Sequence, residues 1–312
     1  MEQIPDDYYV TSNSFTKTVY RDVYPSVDPT SPALSQAGKI VVITGASRGI
    51  GKYVPIKIPG VLLAIAFAKA HAKGIVISAR DTASLKGTVE EVRKVNTQVE
   101  VLPVALEITD EESVKNLFKH VKNKFATVDV LVSNAGVFSG EGLHIRTAPS
   151  SAWWRDFEVN VKGTMLVTKY FLQLLGTEKK GSVITITSAG GLSVFPIGIS
   201  NYSIAKLANL QLSTYTAAEN PNVTAVAFHP GIVMTDMVSE SFKPFAKDTP
   251  QLAGGVVVWL ATDAASFMNG RYMSTNWSVD EIVEKKDEIL SKDLLKITLR
   301  GDFGTAKLQP SH

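Results

Sequence analysis

From position 39 onward, short β-branched runs alternate with longer amphipathic segments, and this alternation limits the chain more than any other feature. The runs at 39–43, 75–78, 99–104, 128–132, 182–187, 223–228 and 271–274 read as strands. Most are apolar throughout rather than alternating, which fits a parallel sheet covered on both faces. Helical periodicity fills 63–73, 82–95, 110–125, 150–175, 201–219, 250–262 and 279–291. Several of these segments carry start signals. Thr109 with Glu112 makes a capping box, Asp81 caps 82–95, and Thr249 before Pro250 supplies an N-cap and a first-position proline. Asp280 and Glu281 put negative charge on the first turn of the last helix, whose Ile282, Val283, Ile289 and Leu290 mark one apolar face. Alternation of this kind predicts a single α/β domain, a doubly wound parallel sheet of about seven strands.

Composition removes several function classes. The 312 residues contain no cysteine, so disulfides, thiolate zinc sites and cysteine nucleophiles are excluded. The five histidines show no ligand spacing, and no metal is expected. A net charge of +2 gives no steering toward nucleic acid and no polybasic membrane patch. The longest apolar stretch, 61–68, is too short to span a bilayer. The opening MEQIPDDYYV lacks the apolar region of a secretory signal, and a cytoplasmic location is expected.

Three parts follow along the chain. Residues 1–37 hold four prolines and the aromatics Tyr8, Tyr9, Phe15, Tyr20 and Tyr24 without helical or strand period. They read as an extended arm with its aromatics docked on the body; for 1–14 a floppy tail is the alternative. Residues 38–277 form the body, and 278–312 a C-terminal helix and tail.

The first strand runs directly into Thr44-Gly45-Ala46-Ser47-Arg48-Gly49-Ile50-Gly51. Glycines here allow a tight turn and close approach of backbone to a pyrophosphate, and a following helix would aim free N–H groups at that anion. The spacing resembles the glycine pattern of the short-chain dehydrogenase/reductase family, whose Rossmann fold agrees with the alternation. Further matches follow in order: Ser133-Asn134-Ala135-Gly136 after the fourth strand, Asn160 in a helix, Ser188 after the fifth strand, Tyr202 and Lys206 as YxxxK, then Pro230-Gly231 with Val233 and Thr235.

The resemblance implies an oxidoreductase that moves hydride between a nicotinamide and a small-molecule carbonyl or alcohol substrate. Ser188, Tyr202, Lys206 and Asn160 would be its catalytic residues. Tyr202 would exchange the proton, Ser188 hold the substrate oxygen, and Asn160 hold a water linking Lys206 to solvent. Gly45, Ser47, Arg48, Ile50, Gly51, Asn134, Ala135, Gly136, Tyr202, Lys206, Pro230, Gly231, Val233 and Thr235 would line the cofactor. Glu107 stands where the family carries an aspartate beside the adenine. The residues themselves add two arguments. An i,i+4 pair shares a helix face, so the Lys206 cation is expected to lower the Tyr202 pKa. A second YxxxK, Tyr53 to Lys57, is broken by Pro55 and reads as a decoy. After the second strand, Ala79 occupies the position of the acidic residue that holds an NAD ribose. Arg80 and Arg48 would suit a 2′-phosphate, which favours NADP(H).

One feature conflicts with the pattern. Residues 52–62 form an insert carrying two prolines and a glycine, and helical pattern resumes only at Leu63. A helix starting there need not face the pyrophosphate, so a non-catalytic nucleotide-binding or interaction protein is the alternative reading. A Ser188–His229 hydrolase is disfavoured, because no aspartate occurs from 189 to 228 and Ser188 is not in a G-x-S-x-G turn. Substrate choice should lie in loops 138–151, 189–200 and 234–249, with Phe138, Trp153, Trp154, Phe195, Phe242 and Phe245 as candidate pocket aromatics. The resemblance implies a homodimer or homotetramer through helices 150–175 and 201–219.

Overall fold

The computed structural model describes residues 5–46, 59–194, 197–235, 238 and 240–299. In chain order its main elements are α1 (Tyr8–Thr11), β1 (Ile40–Thr44), α2 (Pro59–Lys69), β2 (Gly74–Ala79), α3 (Lys86–Val95), β3 (Glu100–Ala105), α4 (Glu111–Phe125), β4 (Val130–Ser133), α5 (Ser150–Phe157), α6 (Thr164–Leu175), β5 (Gly181–Ile186), α7 (Ser200–Glu219), β6 (Val223–His229), α8 (Pro250–Leu260), β7 (Tyr272–Ser274), α9 (Val279–Glu284) and α10 (Lys286–Ser291). The seven strands form one parallel sheet in the order β3-β2-β1-β4-β5-β6-β7. The sequence order reverses between β1 and β4, which opens a crevice at their C-terminal ends.

Burial follows strand position. β1, β2 and β4 are buried along their whole length, as continuous apolar runs require. β3 is an edge strand with exposed positions, and there Pro103 can be tolerated. One core lies under α2, α3 and α8 and includes Phe67 and Phe228; the other lies under α4 and α6 and includes Phe171. All three rings are fully buried, so truncating any of them would cost about 3–5 kcal/mol.

Where it is described, residues 5–37, the arm lies against the body. Val27 and Leu34 are buried, and Tyr20 stacks on Tyr24 with centroids 3.6 Å apart. The Tyr24 hydroxyl accepts from the Val279 amide at 2.7 Å, and Glu281 accepts from the amides of Lys17 and Thr18.

Other local expectations change. Asp110, not Thr109, caps α4 by accepting from the Glu112 amide, while Thr109 donates to Glu107. The helix expected over 150–175 contains a π-helical turn at Glu158–Gly163. The last helix breaks at Lys285; Ile282 and Ile289 are buried, but Val283 and Leu290 are exposed. The Thr249 cap and the acidic first turn of α9 stand as read, whereas Asp81 caps a 3₁₀ turn, Thr82–Leu85, that precedes α3.

The largest correction concerns the insert. Helix α2 starts at Pro59, not Leu63, so four insert residues belong to it. Proline suits a first helical position, where its missing N–H would have no helical partner. Among the described residues no helix is long and apolar enough to cross a membrane.

Candidate active site

The crevice is built on the ends of β1 and β4. The Thr44 hydroxyl accepts from the amides of Asn134 and Ala135, both at 3.0 Å, and Asn134 Nδ2 donates to the carbonyls of Thr44 and Gly45 at 2.9 and 3.1 Å. These bonds hold the turn after β1 against the turn after β4. Gly45 has φ +71°, and a Cβ there would lie 2.8 Å from Ala135 Cα. Gly60, within the 52–62 insert, completes this cradle. A Cβ on it would lie 2.5 Å from the Gly45 carbonyl oxygen, 2.9 Å from Ala46 Cα and 3.0 Å from Asn134 Nδ2. A Gly at the start of α2 therefore lets the helix abut the strand turn, which is the packing role of a fingerprint glycine. Its signal was present as Pro-Gly before an apolar helical run.

Four of the expected catalytic residues converge one strand further on. Ser188 follows β5, and its hydroxyl accepts from the Gly190 amide at 3.2 Å. Tyr202 stands on the first turn of α7, hydrogen-bonded to Ser188. Lys206, one turn later, is buried; its Nζ donates to the Ile186 carbonyl at 2.9 Å and lies 5.7 Å from the centre of the Tyr202 ring. The Thr187 hydroxyl donates to the Lys206 carbonyl at 2.6 Å, tying α7 to the end of β5. Asn160 sits on the π-helical turn with its amide clamped to Val137: Nδ2 donates to the Val137 carbonyl and Oδ1 accepts from its amide, both at 2.9 Å. π-Turns of this kind recur at functional sites. Next to Val137, Gly136 leaves room for Asn160 and Lys206, since a Cβ there would lie 2.9 Å from Asn160 Oδ1 and 3.5 Å from Lys206 Nζ.

Sequence reasoning missed Asp156. It is fully buried, accepting from Ser139 Oγ at 2.5 Å and from Asn201 Nδ2 at 2.9 Å. It thereby ties the loop after β4 to the residue preceding Tyr202. Burial raises its pKa, and Ser139 and the Lys206 charge oppose that rise.

The electrostatics differ from the expected pull of Lys206 on Tyr202. Burial pushes the Tyr202 hydroxyl up to about 12, against the hydrogen bond from Ser188, and Asp156 adds to the rise. Burial also pushes Lys206 down to about 8. Desolvation outweighs the charge of a neighbour whose ammonium group is directed at the Ile186 carbonyl.

The remaining expected residues lie around this centre. Arg80 is exposed beyond β2, with no ion pair among the described residues, and Ala79 beside it is buried. Glu107 follows β3, its carboxylate accepting from the Thr109 amide and hydroxyl. Pro230, Gly231, Val233 and Thr235 follow β6 and face the crevice. Gly231 has φ +84° and packs against the buried Asp248, whose Oδ2 accepts from the Ile232 amide at 2.7 Å. Ser47, Arg48, Ile50, Gly51, the Tyr53–Lys57 pair and Phe195 lie outside the described residues.

Ser188, Tyr202 and Lys206 open into a cavity of about 1260 Å³, which also takes in Asn134, Gly136 and the loop after β6. Phe138 and Phe242 line it. Trp153 and Trp154 instead stack with Phe157 along α5, and Phe245 packs beneath Tyr9 of the arm. His229 also lines the cavity, and burial lowers its pKa to about 4, so its ring is neutral near pH 7. No group of three His, Asp or Glu among the described residues could hold a metal.

Fold and site together define a doubly wound α/β protein with a glycine-lined cradle at the sheet's switch point and a Tyr–Lys–Ser cluster beside it. A sequence model of the short chain dehydrogenases matches residues 39–245. A short chain dehydrogenase of Monascus purpureus, mpl6, is 35% identical over 288 residues, covering 90% of this chain and 94% of that protein. A second, pigC of Monascus ruber, is 33% identical and covers 94% of both. Among solved structures, a putative short chain dehydrogenase from Pseudomonas syringae superposes with a TM-score of 0.69 at 24% identity, over 79% of this chain and 97% of that one. The chain belongs to the short-chain dehydrogenase family, whose members are oxidoreductases that use a nicotinamide cofactor.

Proposed function

We propose that the protein is an NADP-dependent oxidoreductase that interconverts an alcohol and a ketone or aldehyde. The observation that carries this reading is the Tyr202 hydroxyl, hydrogen-bonded to Ser188 and backed by Lys206, at the wall of a cavity that reaches the glycine cradle. The residues fit a dinucleotide: a Cβ at Gly45 or Gly60 would fill the cradle, and Arg80 offers an uncommitted guanidinium beyond β2 for a 2′-phosphate. Gly45, Asn134, Ala135, Gly136, Pro230, Gly231, Val233 and Thr235 would hold the cofactor on the cradle side of the crevice. Bound there, it supplies or accepts the hydride.

The chain's own groups handle the oxygen. Ser188 positions the substrate oxygen. Tyr202, held protonated by burial, donates its proton to the oxygen as a carbonyl is reduced. Lys206, brought to about 8, gives up a proton near neutrality and restores the Tyr202 hydroxyl. Asn160 holds the Val137 backbone beside Lys206, and Asp156 sets the first turn of α7. The abutment of α2 on the Gly45 turn favours this enzyme reading over an impaired phosphate loop.

We take residues 38–277 as the reductase body. We place the enzyme in the cytoplasm as a homodimer or homotetramer, for which exposed Trp154, Met165, Ile204 and Tyr215 on α5, α6 and α7 supply apolar surface. The test of the chemistry is Tyr202→Phe. Ketone reduction should fall by at least about 10²-fold with NADPH binding and folding retained, and near-normal turnover would sink the assignment.

A further inference from the structure

The cavity beside Tyr202 is not built from the body alone. Pro5, Tyr8, Tyr9, Val10, Ser12 and Asn13 of the arm form its wall on the side of the loop after β6. That wall is anchored at several points. The Tyr9 ring meets Phe245 edge-on at 4.8 Å and Phe242 at 5.3 Å. Lys247 pairs with Asp6, and Arg21 pairs with the buried Asp248 at 3.5 Å while donating to the Asp6 carbonyl. The Thr249 amide donates to the Arg21 carbonyl at 2.8 Å, and Asn276 Nδ2 bridges the Tyr20 carbonyl and Asp248, both at 3.0 Å. Asp248 is the same carboxylate that holds Ile232 in the loop carrying Val233 and Thr235. Arm and loop are therefore one unit.

The fungal relatives match 90% and 94% of the chain, whereas the body is about three quarters of it. The longer match therefore extends past the body into its flanks. The solved neighbours cover 77–79%.

We propose that this arm is a substrate-recognition element, and that the site it completes takes a bulky, ring-bearing ketone or alcohol rather than a small one. The inference rests on the oxidoreductase reading above. Rings stand on two sides of the space. Tyr8, Tyr9 and Phe242 form one wall, and Phe138, packed edge-to-face on Tyr202 at 5.2 Å, stands beside the reacting hydroxyl. Aromatic pairs of this geometry favour a flat unsaturated guest over a short aliphatic one. With the arm in place the cavity still measures about 1260 Å³, above the usual ~300–1,000 Å³ of a ligand pocket. It can hold the nicotinamide end of a cofactor and a ring system together. The arm therefore shapes the space instead of plugging it.

The test uses the full chain with NADP⁺, under which a ketone can bind but cannot be reduced. Calorimetry compares 2-acetylnaphthalene with 2-butanone on the wild type, Tyr9→Ala, Tyr9→Phe and Tyr8→Ala. The wild type should bind the naphthyl ketone at least tenfold more tightly than butanone. Tyr9→Ala should weaken the naphthyl ketone about tenfold, and Tyr9→Phe should restore it, with NADP⁺ affinity unchanged in both. Tyr8 is half-exposed, so Tyr8→Ala keeps the fold and should weaken the ring ketone in the same direction. The inference is overturned if the wild type shows no preference for the ring ketone, or if Tyr9→Ala and Tyr8→Ala bind it within twofold of wild type. Turnover with NADPH, run in parallel, separates the two claims: ring-ketone binding that depends on Tyr9 without reduction would remove the oxidoreductase reading and leave the arm's role standing.

Discussion

Replacing Gly60 by alanine tests whether the helix start is what closes the cofactor cradle. The added Cβ would lie 2.5 Å from the Gly45 carbonyl oxygen and 2.9 Å from Ala46 Cα. Both are backbone atoms of the turn just after β1, which is held by Asn134 Nδ2 donating to the Gly45 carbonyl, by the Ala46 amide donating to the Ser78 carbonyl and by the Thr88 hydroxyl donating to the Ala46 carbonyl. An ordinary carbon–oxygen contact is about 3.3 Å, so the start of α2 must retreat by roughly 0.8 Å. Overpacking of this kind costs about 1–3 kcal/mol. Alanine would regain up to about 1 kcal/mol of helix propensity over glycine, leaving a net loss of up to about 2 kcal/mol. The same retreat pulls the helix amides back from the cradle, and an affinity loss of at least tenfold for the dinucleotide corresponds to about 1.4 kcal/mol. Urea unfolding and a cofactor titration read the two effects. An alanine variant as stable as wild type, binding cofactor equally well, would refute both the packing argument and the role given to Gly60.

Two further predictions come from buried charge. Lys206→Met should stabilise the protein at pH 7 by up to about 3 kcal/mol, because burial lowers the Lys206 pKa from 10.5 to about 8 and the folded state bears the cost of the charge below that value. Between about pH 8 and 10.5 the unfolded chain holds more protons than the folded one, so wild-type stability rises and the variant's advantage should shrink; urea midpoints at pH 7 and pH 9.5 that show a constant difference would contradict this. Asp248→Ala should cost about 2–3 kcal/mol by leaving the Ile232 amide and the Asn276 side chain without their acceptor; an unfolding free energy within about 0.5 kcal/mol of wild type would show that Asp248 does not hold the loop.

Much of the fold was legible because its strands are buried on both faces. Continuous β-branched runs such as 39–43 and 75–78 have no other economical home than the middle of a parallel sheet. The caps at Asp81 and Thr249 were legible for a similar reason, since a short polar side chain beside a helix start has a local partner. Features that depend on tertiary contact were not. Thr109 and Asp110 are both acceptable caps by type, and what decides between them is that Thr109 is engaged by Glu107. The π-turn at Glu158–Gly163 leaves no periodic signature; within it Asn160 clamps Val137, a contact between distant segments. Asp156 looked like an ordinary polar position on a helix and is fully buried only because Ser139 and Asn201 come to it from distant segments. The Tyr202–Lys206 spacing placed both groups on one face, but spacing carries no information on solvent. Desolvation therefore reversed the expected direction of the Tyr202 shift. The prolines of the insert read as a break in the helix, whereas Pro59 is the residue that starts it.

The central claim, a nicotinamide dinucleotide held in the Gly45–Gly60 cradle with its 2′-phosphate at Arg80, is tested most directly by fluorescence titration of the purified protein with NADPH beside NADH. Two charge-assisted hydrogen bonds from a guanidinium to a phosphate, each about 1.5 kcal/mol or more, should make NADPH at least tenfold the tighter ligand. Equal or tighter binding of NADH would contradict the role of Arg80, and a folded protein that binds neither would contradict the claim as a whole.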